Sequence, residues 1–152
     1  MTGTPTFQRL SSRAIEEHQQ IDFFLKQLLS SLHALDADSD DVEPLRRLAA
    51  QIDGLRERLE EHFQHEEQDG LFQAILDLLP DAESMIDGLA SQHEHMIEVL
   101  QMARIHAERG EPCEVAELQD DLQRFLETMR AHEKAEEALL ERAIEEETRS
   151  LT

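Results

Sequence analysis

Apolar residues recur at alternating spacings of three and four along four segments of the chain, which is the pattern of amphipathic helices. The apolar stripes cover residues 10–35, 45–66, 86–107 and 115–139. An alternation of three and four is typical of the seam of a left-handed bundle. The sequence therefore predicts an all-α fold, an antiparallel up-down four-helix bundle.

Turn-forming residues separate the four predicted helices. The polar run 36–41 precedes the second helix, and the Leu-Pro-Asp sequence at 79–81 separates the second from the third. A Gly-Glu-Pro sequence at 110–112 separates the third from the fourth. Gly70 is predicted to end the main part of the second helix and to leave residues 71–79 as a short helical extension.

Histidine interrupts every apolar stripe, and in the second and fourth helices a glutamate follows it four residues later. The residues concerned are His18, His62, Glu66, His93, His132 and Glu136. Four residues is a little more than one helical turn, so each His-x-x-x-Glu pair stacks on the face that its helix should bury. Buried charge without a partner is costly, so the pattern favours a bound metal ion over a core that merely tolerates histidine.

The four histidines should lie at one height in the bundle. In an antiparallel hairpin, residues equally far from the turn lie level, and the midpoint of His18 and His62 is position 40, inside a predicted loop. The midpoint of His93 and His132 falls between positions 112 and 113, at another predicted loop. At a rise of about 1.5 Å per residue, both pairs lie roughly 30 Å from those loops, toward the end that holds both termini.

Composition limits the partners and the compartment. The 152 residues suit a single domain over 1–152, and the formal net charge is −21. So acidic a surface repels phosphate backbones and anionic lipid, so we expect neither a nucleic-acid nor a membrane partner, and the sequence identifies no protein partner. The single cysteine, Cys113, excludes an intrachain disulfide. No signal-peptide core lies within residues 1–17, and a cytoplasmic location is expected.

Four imidazoles and two carboxylates are the donors of a transition-metal site. If both carboxylates bridge two ions and each ion takes two histidines, each ion has four protein ligands. An octahedral ion then keeps two free positions, and free positions on a redox metal predict chemistry on a small molecule. Imidazole with carboxylate suits iron or manganese, whereas structural zinc prefers thiolate-rich tetrahedra.

The whole pattern resembles the hemerythrin-like domain, also called the HHE cation-binding domain, in its duplicated His…His-x-x-x-Glu subgroup. The local context is similar too, with Glu-Glu-His-Gln-Gln-Ile around His18 and His-Phe-Gln-His-Glu-Glu at 62–67. The resemblance covers nearly the whole chain. It implies a non-haem centre of two iron ions with an oxo or hydroxo bridge, held by the six residues, ahead of manganese or zinc.

The chain departs from the oxygen-carrying hemerythrins at two ligand positions. Ile97 stands where the carriers have a further histidine, and Glu136 follows the last histidine at four residues, where the carriers have an aspartate at five. The ferritin-like di-iron class is the main competitor on fold, but it requires Glu-x-x-His pairs, and the absence of a glutamate three residues before any histidine here argues strongly against it.

Reaction with a small oxidant (peroxide, oxygen or nitric oxide) is the function that the pattern favours, above all catalase-like removal of peroxide. The chain has no tyrosine, so two irons would exchange two electrons without a tyrosyl radical. The alternative is a non-enzymatic protein that binds, senses or buffers iron, oxygen or nitric oxide, since an acidic surface concentrates cations. Whether the protein is an enzyme stays open at this point.

Other polar residues lie beside the six candidates. Glu67, Glu133 and Glu137 are expected either to accept a hydrogen bond from the outer nitrogen of a ligand histidine or to form a charged rim. His65 lies off the core register, so a solvent-facing position is expected, with a role as an alternate ligand or as a support beside the ligands as the alternative. Three further histidines are expected at the surface: His33, His95 and His106.

Overall fold

The computed structural model describes residues 6–35, 41–110 and 115–151. The elements in these ranges are α1 (Phe7–His33), α2 (Glu43–Glu67), α3 (Leu71–Leu78), a 3-10 turn (Pro80–Ala82), α4 (Glu83–Arg109) and α5 (Val115–Ser150). The described part of the chain contains no strand. The four long helices coincide with the four predicted ones, and α3 is the predicted extension after Gly70. The prediction of an all-α fold is confirmed.

The four long helices pack in a ring. Neighbours along the ring are α1 and α2, α2 and α4, α4 and α5, and finally α5 and α1, with α3 covering one end. The predicted loops at 36–41 and 110–112 fall mostly outside the described residues, as does Cys113. Among the residues described, no helix combines the length and the apolarity needed to cross a bilayer.

The buried core consists of two apolar clusters separated by one polar layer. The larger cluster includes Leu28 and fills most of the bundle, whereas the smaller cluster includes Phe72 and lies under α3. Along α4, the buried His93 lies between Leu89 of the smaller cluster and Met96 of the larger cluster, so the helix passes from one cluster to the other at this histidine. The six candidate ligands occupy this dividing layer.

The junction between α2 and α3 depends on a left-handed backbone at Gly70, whose φ is 106°. That conformation costs an L-residue roughly 1–2 kcal/mol through its Cβ, whereas glycine adopts it freely. A Cβ added at Gly70 would meet no atom within 4 Å, so the cost of a substitution there is conformational alone. The turn lets α3 fold back over the end of the bundle that holds the polar layer.

Gly70→Ala should therefore lower the free energy of unfolding by about 1 kcal/mol. Gly88→Ala is the matched control, because Gly88 is a solvent-exposed residue away from the ends of α4 and its added Cβ would also meet nothing within 4 Å. The control should raise the free energy of unfolding by about 0.5–1 kcal/mol. Denaturant unfolding measures both changes, and a Gly70→Ala protein as stable as the parent would contradict the strain argument.

Candidate metal centre

The structure brings all six residues predicted as metal ligands into the polar layer. Each helix of the ring contributes: α1 and α4 one histidine each, and α2 and α5 one histidine and one glutamate each. All six are at most 4% exposed. They meet at one level because the two arms of each hairpin place their histidines equally far from the connecting loop.

The ligand atoms form two groups that share both glutamates. The first group contains His18 and His62, and the second contains His93 and His132. Within each group the two imidazole nitrogens and the oxygens of the shared glutamates all lie within 4.8 Å of one another. The sharing of both carboxylates by two histidine pairs is the arrangement on which the predicted two-ion site depends.

Glu66 directs one carboxylate oxygen toward each group. Its Oε2 lies 3.3 Å from Nε2 of His62, and its Oε1 lies 3.2 Å from Nε2 of His93. Two ligands at right angles on one ion, each at about 2.1 Å, are separated by roughly 3 Å. Both separations at Glu66 therefore suit a carboxylate that binds one ion through each oxygen.

Glu136 repeats this arrangement from the opposite side of the layer. Its Oε1 lies 2.7 Å from Nε2 of His132, while its Oε2 lies 3.8 Å from the Nε2 atoms of His18 and His62. The Nε2 atoms of His18 and His62 are 3.1 Å apart. The second carboxylate thus also faces both groups, although its approach to the first group is longer.

Many of these buried atoms have no hydrogen-bond partner among the described residues. They are both carboxylate oxygens of Glu66, Oε1 of Glu136, and Nε2 of His93 and His132. A buried polar atom left unpaired costs about 1–3 kcal/mol, and here the unpaired atoms converge. Lone pairs that converge without hydrogen bonds are the arrangement of donors around cations, so the residues present fit a pair of ions.

The outer nitrogen, Nδ1, of three ligand histidines donates a hydrogen bond to a side chain of a neighbouring helix. The pairs are His62 with Glu17 (2.8 Å), His93 with Glu67 (2.9 Å) and His132 with Gln92 (2.6 Å). Nδ1 of His18 lies 3.8 Å from Oε1 of Glu137, beyond hydrogen-bond distance. A ring that donates through Nδ1 keeps its lone pair on Nε2, so these contacts aim the ligand atoms into the layer.

Aromatic packing restrains the imidazole of His93, one of the two histidines of the second group. The ring of Phe63 stacks on that of His93, with centroids 3.7 Å apart and planes at 6°. The ring of Phe72 also lies against His93, at 5.8 Å and 22°. Two apolar rings against one imidazole hold its orientation and reduce its contact with water.

Two of the acceptors, Glu17 and Gln92, were not predicted from the sequence. The six ligands repeat one pattern in the two halves of the chain, a lone histidine (His18 or His93) followed by a His-x-x-x-Glu pair. Glu17 and Gln92 each immediately precede the lone histidine of their half, and each accepts from the His-x-x-x-Glu histidine on the adjacent helix. The sequence signal that could have identified them is their equivalent position, directly before the lone histidine in each half of the chain. Of the two alternatives left open for Glu67, the structure shows the first, because its carboxylate accepts from Nδ1 of His93.

The expectation that His65 faces solvent is wrong. Its side chain is only 19% exposed, and its Nδ1 pairs with Oε2 of Glu17, whose other oxygen accepts from His62. A residue three positions along a helix lies about 60° around its axis, so His65 flanks the core face of α2 and meets α1. Its role is the supporting one that the sequence left as the alternative.

Burial distinguishes the remaining residues that the sequence singled out. Glu133 is only 7% exposed, so it does not lie on a charged rim. Burial, and then the charge of Asp22, raises the pKa of its carboxyl to about 8. His33 and His95 are exposed as expected, whereas His106 is half-buried.

The charges of the layer are coupled. Burial lowers the pKa of His62, but the hydrogen bond to Glu17 and the nearby carboxylate of Glu66 outweigh it and raise the pKa to about 9. Burial raises the pKa of Glu66, but His62 and His93 outweigh it and lower the pKa to about 2. Burial, and then the neighbouring His93, lowers the pKa of His132 to about 4. A cation bound through Nε2 must displace the proton of His62, because only a neutral imidazole is a ligand.

The fold and the two ligand groups define a metal-binding four-helix bundle. The chain belongs to the hemerythrin HHE cation-binding domain family, whose model matches residues 7–144. The match confirms the resemblance seen in the sequence and, with the buried histidine and glutamate groups, supports a cation site. Neither a curated protein nor a solved structure gives a significant match to the chain. Membership of the duplicated subgroup stays a prediction.

Proposed function

We propose that the protein holds two iron ions between the six residues and uses them to react with a small oxidant, above all in catalase-like disproportionation of hydrogen peroxide. The observation that supports this proposal is the pair of histidine groups that share Glu66 and Glu136. Each ion would have two imidazole and two carboxylate donors, a ligand set that suits iron better than structural zinc.

Two adjacent iron ions would supply the two-electron redox change that peroxide disproportionation requires. One peroxide loses two electrons and two protons and becomes oxygen; a second gains them and becomes two waters. The chain's part is to hold the donors in place, since Glu17, Glu67 and Gln92 fix three of the ligand rings. The sequence contains no tyrosine that a radical pathway could oxidise.

Two surface grooves each border one histidine of a ligand group. A groove of about 240 Å³ between α1 and α5 is lined by His18 together with Ile15, Asp22 and Glu137. A second groove, of about 580 Å³, lies between α2 and α4 and includes His93. A water molecule occupies about 30 Å³ of liquid, so either groove has room for peroxide, oxygen or nitric oxide beside a ligand histidine. We therefore propose small molecules as partners, and neither nucleic acid nor membrane.

Hydrogen peroxide added to the iron-loaded protein should evolve one oxygen for every two peroxides consumed, as an oxygen electrode measures. His93→Ala and Glu136→Ala should reduce the rate to that of free iron, because each removes a donor from the layer. His95→Ala is the matched control, since this exposed histidine lies on the same helix as His93 but outside both groups. Wild-type turnover no faster than that of free iron at equal concentration would overturn the catalytic proposal.

A second candidate is a non-enzymatic protein that binds, senses or buffers iron, oxygen or nitric oxide. The net charge of −21 favours it, because an acidic surface concentrates cations. Ile97 favours it as well, since this half-buried side chain lines the groove at His93 where oxygen carriers have a further histidine. The ion at His93 would then have fewer protein ligands than its counterpart in the carriers and would exchange more readily.

Separate additions of oxygen, peroxide and nitric oxide to the reduced protein distinguish the candidates. Reversible changes in absorption without turnover would support binding or sensing, whereas rapid oxidation with peroxide consumption would support the enzyme. Slow release of iron to a chelator, with no spectral response to any of the three, would exclude the buffer and the sensor.

A further inference from the structure

The two halves of the chain hold their histidines through equivalent contacts. The residue before each lone histidine, Glu17 or Gln92, accepts a hydrogen bond from the His-x-x-x-Glu histidine of the same half. The residue after each shared glutamate, Glu67 or Glu137, faces the lone histidine of the other half. The contacts around the layer thus follow the internal duplication.

The residues at the equivalent positions 17 and 92 accept hydrogen bonds of similar length but differ in charge. The hydrogen bond from His62 to Glu17 is 2.8 Å long, and that from His132 to Gln92 is 2.6 Å long. The acceptor is a carboxylate in the first half and a neutral amide in the second. The first half also has His65, which pairs with the second oxygen of Glu17.

The charge of Glu17 is less screened than those of Glu67 and Glu137, the other two carboxylates beside ligand histidines. The Glu17 side chain is 16% exposed, whereas those of Glu67 and Glu137 are 42% and 55% exposed. Water screens exposed charges most effectively, so Glu17 acts most strongly on its histidine. A carboxylate that accepts from Nδ1 makes Nε2 of the same ring a stronger donor to a cation than a neutral amide does.

We propose that Glu17 makes the two cation positions unequal, so that the position at His18 and His62 binds a cation more tightly than the position at His93 and His132. Glu17 acts through the imidazole of His62 and is therefore a positioning residue. His65 holds Glu17 in place for this contact. This inference rests on the proposed metal centre.

Cobalt(II) titration of the chelator-treated full chain tests the proposal, with calorimetry and visible absorption as readouts. The wild-type protein should show one tight and one weak step. Glu17→Gln should weaken the tight step by about 10- to 100-fold, because the amide oxygen still accepts from His62 but carries no charge. Gln92→Glu should strengthen the weak step by a comparable factor, and the double exchange should restore two unequal steps.

Glu61→Gln is the matched control for net charge. Glu61 is an exposed carboxylate beside Glu17 and His65, and it belongs to neither ligand group. Its substitution removes the same charge without changing the acceptor of a ligand histidine, so both steps should stay as in the wild type. A shift in Glu61→Gln as large as that in Glu17→Gln would overturn the proposal, because general charge would then explain the effect.

Iron-57 Mössbauer spectroscopy gives a second readout, which does not depend on enzymatic activity. The wild type should show two quadrupole doublets, which should converge in Glu17→Gln and separate again in the double exchange. A substitution that only loosened the fold would not be compensated by Gln92→Glu in the other half. Cobalt binding with the same two affinities in all variants would overturn this inference alone. Absence of cobalt binding by the wild type would overturn the metal centre together with it.

Discussion

Alanine in place of Glu66 should abolish binding of both ions, a larger loss than removal of any single histidine. The two oxygens of Glu66 face different groups, 3.3 Å from His62 and 3.2 Å from His93, so both ions would lose a donor. His93→Ala removes a donor from the second group only. Elemental analysis after iron-replete expression should find about two irons per wild-type chain, about one in His93→Ala and almost none in Glu66→Ala.

Two further variants keep this prediction independent of misfolding. Glu66→Gln preserves the size of the side chain but offers a weak, neutral ligand, so it should lose iron while far-UV circular dichroism shows intact helices. Glu60→Ala is the control, because Glu60 is an exposed carboxylate on the same helix and pairs only with Arg56 among the ion pairs described. This variant should keep the wild-type iron content. Retention of two irons by both Glu66 variants would show that this carboxylate is not shared.

The sequence was sufficient to predict the helices and the level of the histidines. Apolar periodicity defines each helix without knowledge of its neighbours, and the length of the hairpin arms then decides which residues lie level. His18 and His62 come together for this reason, as do His93 and His132. Spacing and chain connectivity therefore contain most of the information about the layer.

The surroundings of the layer were harder to predict, because they depend on how neighbouring helices are rotated against each other. Glu17 and Gln92 look like surface residues along their own helices, yet each reaches a histidine on the next helix. His65 was misplaced for the same reason, since a residue at the flank of one helix is covered or exposed according to its neighbour. Single-helix periodicity does not contain that rotation.

The polar layer also explains why stability and function are in tension here. Six buried polar residues divide one apolar core into two clusters, where apolar side chains of similar volume would have packed without unpaired donors and acceptors. Local rules that fail in the middle of an otherwise consistent helical pattern mark functional sites. The interruption is therefore better evidence for a cation site than any one histidine.

Removal of metal by a chelator should lower the melting temperature by about 8–16 °C for each ion. A ligand at 1,000 times its dissociation constant stabilises the folded state by about 4 kcal/mol, and 1 kcal/mol shifts the melting temperature of a domain this size by about 2–4 °C. Without the ions, the buried oxygens of Glu66 and the Nε2 atoms of His93 and His132 would again have no partner. Hydrogen exchange should rise first around the layer and in α3.

Glu66→Ala is the control for this prediction, because it should hold no iron and should therefore melt at the same temperature with and without chelator. If the melting temperature of the wild type were also unaffected by chelator, metal binding and folding would not be coupled.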